Sequence, residues 1–309
     1  MKLIIGGSGF IGSAFRAHLA QQGQDYIAVT RKSFDLKNHM ISREMFYSAK
    51  FSSKIRSATT LYYLASATAP RNCQSLPKEI EANVIEFQKY IEHAIALNSD
   101  LRIIYLSSGG QIYGTKVANL ASEEQQLAPE TPYAVGKAMI EESLRYFARK
   151  YSISYGILRP SNPIGPSQTN HGQGVIPALF NAAFNNTPFN VVGSLQSARD
   201  YVHVKDLCLA MSLADSTIHN DTWNVGSGKA TTLEDIIKHI EQVSNKKIKI
   251  NKSSRLNNYE MDRIALDTTK IRDNLGWTPQ ISLRQAVHEC FCAHQKKTAA
   301  EKQLDLSVV

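Results

Sequence analysis

Leu3-Ile4-Ile5-Gly6-Gly7-Ser8-Gly9-Phe10-Ile11-Gly12 is the stretch that decides the fold. The continuous apolar run Leu3–Ile5 reads as a strand buried on both faces, as in a parallel sheet. The helical pattern Ser13–Gln22 follows the glycines directly. Gly6 permits a tight turn, Gly9 lets the backbone approach a pyrophosphate, and Gly12 allows close helix–strand packing. The helix N-terminus then faces negative charge. Gly6, Ser8, Gly9, Phe10, Ile11 and Gly12 therefore form the predicted cradle of a dinucleotide, on a doubly wound parallel α/β sheet.

Working outward, Tyr26–Thr30 reads as the second strand. An NAD-specific site usually carries Asp or Glu at its end, for the ribose 2′-hydroxyl. Here the residues are Thr30-Arg31-Lys32, which suit a 2′-phosphate better. The cofactor is expected to be NAD or NADP, with a lean to NADP, and Asp35 to open the segment passing the adenine. Thr60–Leu64 is a further strand, and the small residues after it (Leu64-Ala65-Ser66-Ala67) suit a backbone lying against the cofactor. Glu79–Leu97 predicts a helix with a core or subunit-interface stripe of Ile80, Val84, Phe87, Ile91 and Ile95. Asn83, on that helix, is a candidate cofactor contact. Leu101–Leu106 is a strand ending in Ser107-Ser108-Gly109-Gly110-Gln111-Ile112-Tyr113-Gly114, at the sheet edge where ligands bind in such folds.

Tyr133 and Lys137, in Pro132-Tyr133-Ala134-Val135-Gly136-Lys137, are four residues apart and share a helix face. An ammonium beside a phenol is expected to lower the phenol pKa. Reaching pH 7 from about 10 requires about three units, or about 4 kcal/mol.

The chain has 309 residues with 43% hydrophobic content, enough for an α/β core plus a smaller lobe. The net charge of +8 suits anionic ligands, but no basic run is dense enough to imply nucleic acid. Cys73, Cys208, Cys290 and Cys292 lack zinc-type spacing, so no metal site is expected and free thiols in a reducing cytoplasm are. Met1-Lys2 runs straight into the first strand, leaving no room for a signal peptide, and no apolar stretch approaches a membrane span.

These pieces, in order, resemble the extended short-chain dehydrogenase/reductase family, and within it the nucleotide-sugar epimerases and dehydratases typified by UDP-glucose 4-epimerase. The matching segments are Gly6–Gly12, Leu64-Ala65, Asn83-Val84, Ser107–Gly114, Pro132–Lys137, Leu158–Pro166, Arg199–Asp206 and Leu275-Gly276-Trp277-Thr278-Pro279. The resemblance implies a Rossmann-type sheet over 1–165 and a smaller α/β substrate lobe over 166–309, with some segments returning to the first. It implies Tyr133 as acid/base, and Lys137 as its partner and holder of the nicotinamide ribose. Ser107 and Pro160 would join the cofactor site. Gly109, Asn162, Val175, Val192, Arg199 and Arg255 would meet the sugar nucleotide. A homodimer through the helices Glu79–Leu97 and Tyr133–Tyr151 is also implied.

One position departs from the family pattern. The catalytic Ser/Thr stands four residues before the tyrosine of the Tyr-Gly pair, and here that position is Gly109. Ser108 is the expected substitute, ahead of Ser107, a water or no hydroxyl at all. The leading expectation is C4 epimerisation of a UDP-sugar through a 4-keto intermediate. The alternatives are an NADP-dependent 4-ketoreductase and a non-catalytic dinucleotide sensor or RNA-binding relative. In the second half, Ile176–Asn185 and Leu233–Val243 predict helices, the latter capped near Thr232. His171 and His203 are site candidates by type only, with His203, Asp200 and Asp206 expected as scaffold. Lys296–Val309 is expected to fray.

Overall fold

The computed structural model describes residues 1–31, 35, 39–70, 72–73, 75–115, 120–168, 174–217, 220–253 and 263–306, with side-chain surroundings described to residue 296. Seven strands form one sheet: β1 (Lys2–Ile5), β2 (Tyr26–Thr30), β3 (Met40–Ser42), β4 (Thr60–Tyr63), β5 (Arg102–Leu106), β6 (Tyr155–Pro160) and β7 (Asp221–Val225). Their order is β7-β6-β5-β4-β1-β2-β3, and every neighbouring pair is parallel. The order in which the chain adds strands reverses between β1 and β4, the switch point above whose carboxyl edge the ligand crevice of such sheets lies.

Strand side chains alternate between two helical layers. On one face, Leu3, Ile5, Val29, Leu61, Tyr63, Ile103 and Tyr105 pack with Phe87, Ile91, Ile140 and Leu144. On the other, Ile4, Ala28, Tyr62, Ile104 and Leu106 pack with Phe15, Leu19, Leu207, Met211 and Trp277. The longer helices are α1 (Phe10–Gln21), α2 (Glu86–Leu97), α3 (Pro132–Tyr151), α4 (Val175–Asn185), α5 (Val204–Ser216), α6 (Leu233–Ser244) and α7 (Leu283–Leu306). The expected stripe is therefore core: Val84, Phe87, Ile91 and Ile95 are buried in the first layer, and Ile80 packs against it partly buried.

Two expectations need correction. Glu79–Leu97 is not one uniform helix. A short α-turn, Leu76–Glu79, runs into a wide π-wound segment, Ile80–Ile85, before α2 begins. Such segments are not encoded in hydrophobic periodicity and often mark functional positions. The tail expected as an irregular end from Lys296 carries helical backbone, since α7 runs to Leu306, and Ser307–Val309 lie outside the described residues.

A third apolar cluster joins α4, α6 and α7 through Ile176, Leu179, Phe180, Ile236, Ile240, Ala286 and Val287. It lies with a three-stranded sheet of Asn162–Ile164, Ala198–His203 and Ala230–Thr232, and with the pair Phe189–Val192 and Ile250–Ser253. Between these pieces the chain returns to the main sheet as β7, paired with β6. Thr232 caps α6 by accepting from the Asp235 amide, and His203 Nδ1 caps α5 by accepting from Lys205 N–H. Asp200 accepts from the Ser227, Gly228 and Leu266 amides, and Asp206 from the Gln280 and Ile281 amides. These groups hold the scaffold.

Candidate active site

The glycine loop leaves β1 where the sequence places it. Gly6 has φ of 89°, and a Cβ there would lie 2.7 Å from the Ala65 amide nitrogen, so the loops after β1 and β4 touch. A Cβ on Gly12 would collide with the Gly6 carbonyl and Gly7. Gly9 differs: a Cβ there would meet only the Gly6 carbonyl, at 3.5 Å. The chain's own packing requires glycine at 6 and 12, whereas the Gly9 face stays open. Gly9 is the N-cap of α1, with no side-chain cap and no acid in the first turn. The first-turn amides of Phe10 and Ile11 thus have no carbonyl behind them and suit an anion. Ser8 and Gly9 are exposed, with Phe10 and Ile11 partly so. Arg31 is exposed after β2, and Asp35 pairs its backbone with Met40. Lys32, His171 and Arg255 lie outside the described residues.

Across the crevice, Leu64 and Ala65 are partly exposed, and Ser66 is exposed with its hydroxyl on the Thr68 carbonyl. Asn83 is buried. Its Oδ1 accepts from Ala67 N–H at 2.7 Å, and its Nδ2 donates to Thr68 and Glu79. Its amide thus fixes the loop after β4.

Lys137 is only 6% exposed, and its Nζ donates to the Leu106 carbonyl, the last of β5, at 3.0 Å. The same nitrogen is 5.6 Å from the Tyr133 ring centroid and 5.2 Å from that of Tyr105. Helix α3 starts at a Thr131 cap with Pro132 in its first turn, which sets both residues facing β5. Ser108 lies close enough to the Tyr133 phenol to pull its pKa downward. Ser107 is buried, with Glu141 as its neighbour.

The electrostatics differ from the expectation. Burial pushes the Tyr133 phenol up to about 12, helped by negative charge on Glu79 and by Cys73 and opposed by Ser108. Burial also lowers Lys137 to about 8, against the pull of Glu79 and Glu141. The protein by itself therefore makes Tyr133 a proton donor. The i, i+4 spacing brings an ammonium near the phenol, but the burial of the phenol itself and the Glu79 carboxylate outweigh it.

Gly109 has a packing reason. A Cβ there would lie 2.6 Å from Leu266 Cδ1 and 2.8 Å from the Arg159 carbonyl. Gly109 N–H donates to the Pro160 carbonyl at 2.8 Å, which holds it against β6. Among the expected substrate residues, Asn162 donates to the Asp200 carbonyl, and its Oδ1 would lie 3.8 Å from a Cβ on Gly110. Val175 opens α4, and Val192 ends its strand 48% exposed. Arg199, on the strand Ala198–His203, is partly buried with Nη1 on the Ala198 carbonyl.

Sequence reasoning missed what anchors α3. Arg159 holds Glu141, one turn beyond Lys137, with Nε–Oε1 at 3.0 Å and Nη2–Oε2 at 2.7 Å. Its Nη1 donates to Tyr113 Oη, which donates to Asn224 Oδ1. All four side chains are buried, and they tie α3 to β6, β7 and the loop after β5. A buried Glu on α3 with an Arg inside an apolar strand was the available signal. Glu79, also missed, sits buried against Gly136.

A parallel doubly wound sheet with a glycine turn at its switch point, facing a Tyr–Lys pair, defines a dinucleotide-dependent enzyme of the α/β class. The chain belongs to the NAD dependent epimerase/dehydratase family, whose model matches residues 2–226. It is 32% identical to a dTDP-4-dehydro-6-deoxyglucose reductase of Escherichia coli, over 92% of this chain and 94% of that one. A putative UDP-glucose 4-epimerase of Methanocaldococcus jannaschii is 29% identical, over 93% and 96%. The structure of a UDP-glucose 4-epimerase with UDP-glucose from Thermotoga maritima superposes with a TM-score of 0.85 at 26% identity, covering 96% of this chain and 99% of that one. Among the described residues, no helix is long and apolar enough to cross a membrane, and no cluster of three or more metal-ligating side chains occurs.

Proposed function

We propose that this protein interconverts C4 epimers of a nucleotide-diphospho-sugar, a UDP-sugar by preference, through a 4-keto intermediate. The observation that carries the reading is the convergence of Ser108, Tyr133 and Lys137 at the carboxyl end of β5, in a chain whose glycine loop leaves the Gly9 face open. The glycine loop, the Ala65–Thr68 backbone, Pro160 and Lys137 would hold a nicotinamide dinucleotide. When bound, that cofactor supplies the hydride acceptor and donor.

The protein's own groups do the rest. Tyr133 holds a proton at its phenol oxygen and exchanges it with the C4 oxygen of the sugar. Ser108 orients that oxygen. Lys137, fixed on the Leu106 carbonyl, supplies positive charge below the phenol. Taking the proton rather than giving it requires a lower phenol pKa than the protein alone sets, and a cationic oxidised nicotinamide acts in that direction. Asn162, together with Val175, Val192 and Arg199 from the lobe over 166–309, would bind the nucleotide. The exposed Arg31 supports NADP over NAD. Exposed Ile85, Met139, Tyr146 and Tyr151 lie along neighbouring helical segments joined by a Gln88–Ser143 hydrogen bond, which supports a homodimer through that face.

A second reading, reduction of a 4-keto nucleotide sugar by NADPH, is favoured by the protonated phenol and by the similarity to the E. coli reductase. The deciding assay supplies pairs of C4-epimeric UDP-sugars and, separately, a 4-keto nucleotide sugar with NADPH. Epimer interconversion without net cofactor use supports the first reading, and steady NADPH consumption alone replaces it with the second. Turnover that survives Tyr133→Phe sinks both, since acid/base assistance is worth about 10²–10⁴ in rate.

A further inference from the structure

Glu79 is 1% exposed and lies beneath the Tyr133–Lys137 face of α3. Three donors converge on its carboxylate. Thr68 Oγ1 donates to Oε2 at 2.6 Å, Cys73 Sγ to Oε2 at 3.0 Å, and Asn83 Nδ2 to Oε1 at 2.9 Å. Among the described residues the side chains bonded to it are donors, which suits the acceptor oxygens of a carboxylate. The group is admitted because α3 carries glycine opposite it: a Cβ on Gly136 would lie 2.6 Å from Glu79 Cγ and Oε1. Glu79 ends the short α-turn just before the π-wound segment, the kind of backbone irregularity that accompanies functional positions. Its donors lie on the loop after β4, on the segment that follows it and on the π-wound turn.

We propose that Glu79 is a positioning residue: a buried carboxylate that joins the loop after β4 to α3 and sets the protonation of the Tyr133–Lys137 pair through the gap left by Gly136. The groups facing this charge are Lys137, Tyr133 and Glu141 on α3, Tyr105 on β5, and Cys73 before the α-turn. Lys137 is the cation among them. Glu79 holds its ammonium charged against burial and holds the Tyr133 proton in place, so both partners stay protonated in the same pH range. Because the loop after β4 shares Thr68 and Asn83 with this carboxylate, displacing that loop also changes the field at Lys137. The inference deepens the function proposed above and rests on Tyr133 and Lys137 as the proton-handling pair.

The test reads Lys137 directly in protein without substrate. Its 13Cε resonance, assigned by its loss in Lys137→Arg, is followed with pH in wild type and in Glu79→Gln, which keeps the shape and removes the charge. Glu79→Gln is expected to lower the Lys137 midpoint by about one pH unit, and Glu79→Asp to restore most of it. The alkaline limb of kcat/KM is expected to move by the same amount. An unchanged Lys137 midpoint in folded Glu79→Gln protein overturns the proposal. If Glu79→Gln does not fold, Gly136→Ala, which pushes the carboxylate off its seat, must shift the same resonance, and no shift there overturns it equally. A shifted resonance in a protein that turns over no nucleotide sugar supports the coupling while refuting the proposed reaction.

Discussion

Restoring the hydroxyl that the family pattern places at residue 109 is expected to harm this protein. The perturbation is Gly109→Ser. Its Cβ would lie 2.6 Å and 3.0 Å from the two Leu266 methyl carbons and 2.8 Å from the Arg159 carbonyl oxygen. Leu266 is fully buried in a small cluster with Ile112, Tyr113, Ala121 and Ile264, so it has little room to turn aside. The Arg159 carbonyl belongs to β6, whose next carbonyl already binds the Gly109 amide. Overpacking a site of this kind costs about 1–3 kcal/mol. At about 2–4 °C per kcal/mol for a chain of this order of size, the thermal midpoint should fall by several degrees. Activity should fall with it, because Ser108 rides on the displaced backbone. The assay is thermal or urea unfolding alongside kcat. Leu266→Ala alone costs about 2–5 kcal/mol. If the Leu266 clash is the cause, the double variant should be less destabilised than the sum of the singles, by about 0.5–3 kcal/mol. A Gly109→Ser protein with an unchanged midpoint and a raised kcat would refute the packing argument.

Four further outcomes are expected. Lys137, lowered to about 8, should impose an alkaline limb on kcat/KM near that pH, and Lys137→Arg should move the limb upward. Because its folded pKa lies below the unfolded one, Lys137 should favour folding more as pH rises from about 8 towards about 10.4 and give that up as pH falls back. Urea titrations of wild type and Lys137→Met across that window read the difference. Glu141→Ala leaves buried Arg159 without its bidentate partner and should cost about 3–5 kcal/mol, read as a lower urea midpoint. Of the four thiols, Cys292 should react first with a disulfide reagent at pH 8, since Cys73, Cys208 and Cys290 are buried and raised to about 11, 12 and 12. A second equally fast thiol would contradict the packing around it.

The sequence by itself determined the parts of this protein that depend on local patterns. An apolar triplet ahead of Gly6–Gly12, the strand Tyr26–Thr30 and the Tyr133/Lys137 spacing are written in consecutive residues, so the dinucleotide fold and the placing of Tyr133 and Lys137 on one helix were legible there. Only the tertiary structure decided the rest. The reason for Gly109 is Leu266, 157 residues later, and the clamp on α3 joins Tyr113, Glu141, Arg159 and Asn224 from four separate segments. The direction of the Tyr133 shift turned on burial and on Glu79, neither of which the i, i+4 spacing contains. Desolvation and long-range contact belong to the folded surface around a group. A one-dimensional pattern records which groups are present and how far apart they lie along the chain, and the energy of a buried charge depends on what else the fold brings beside it.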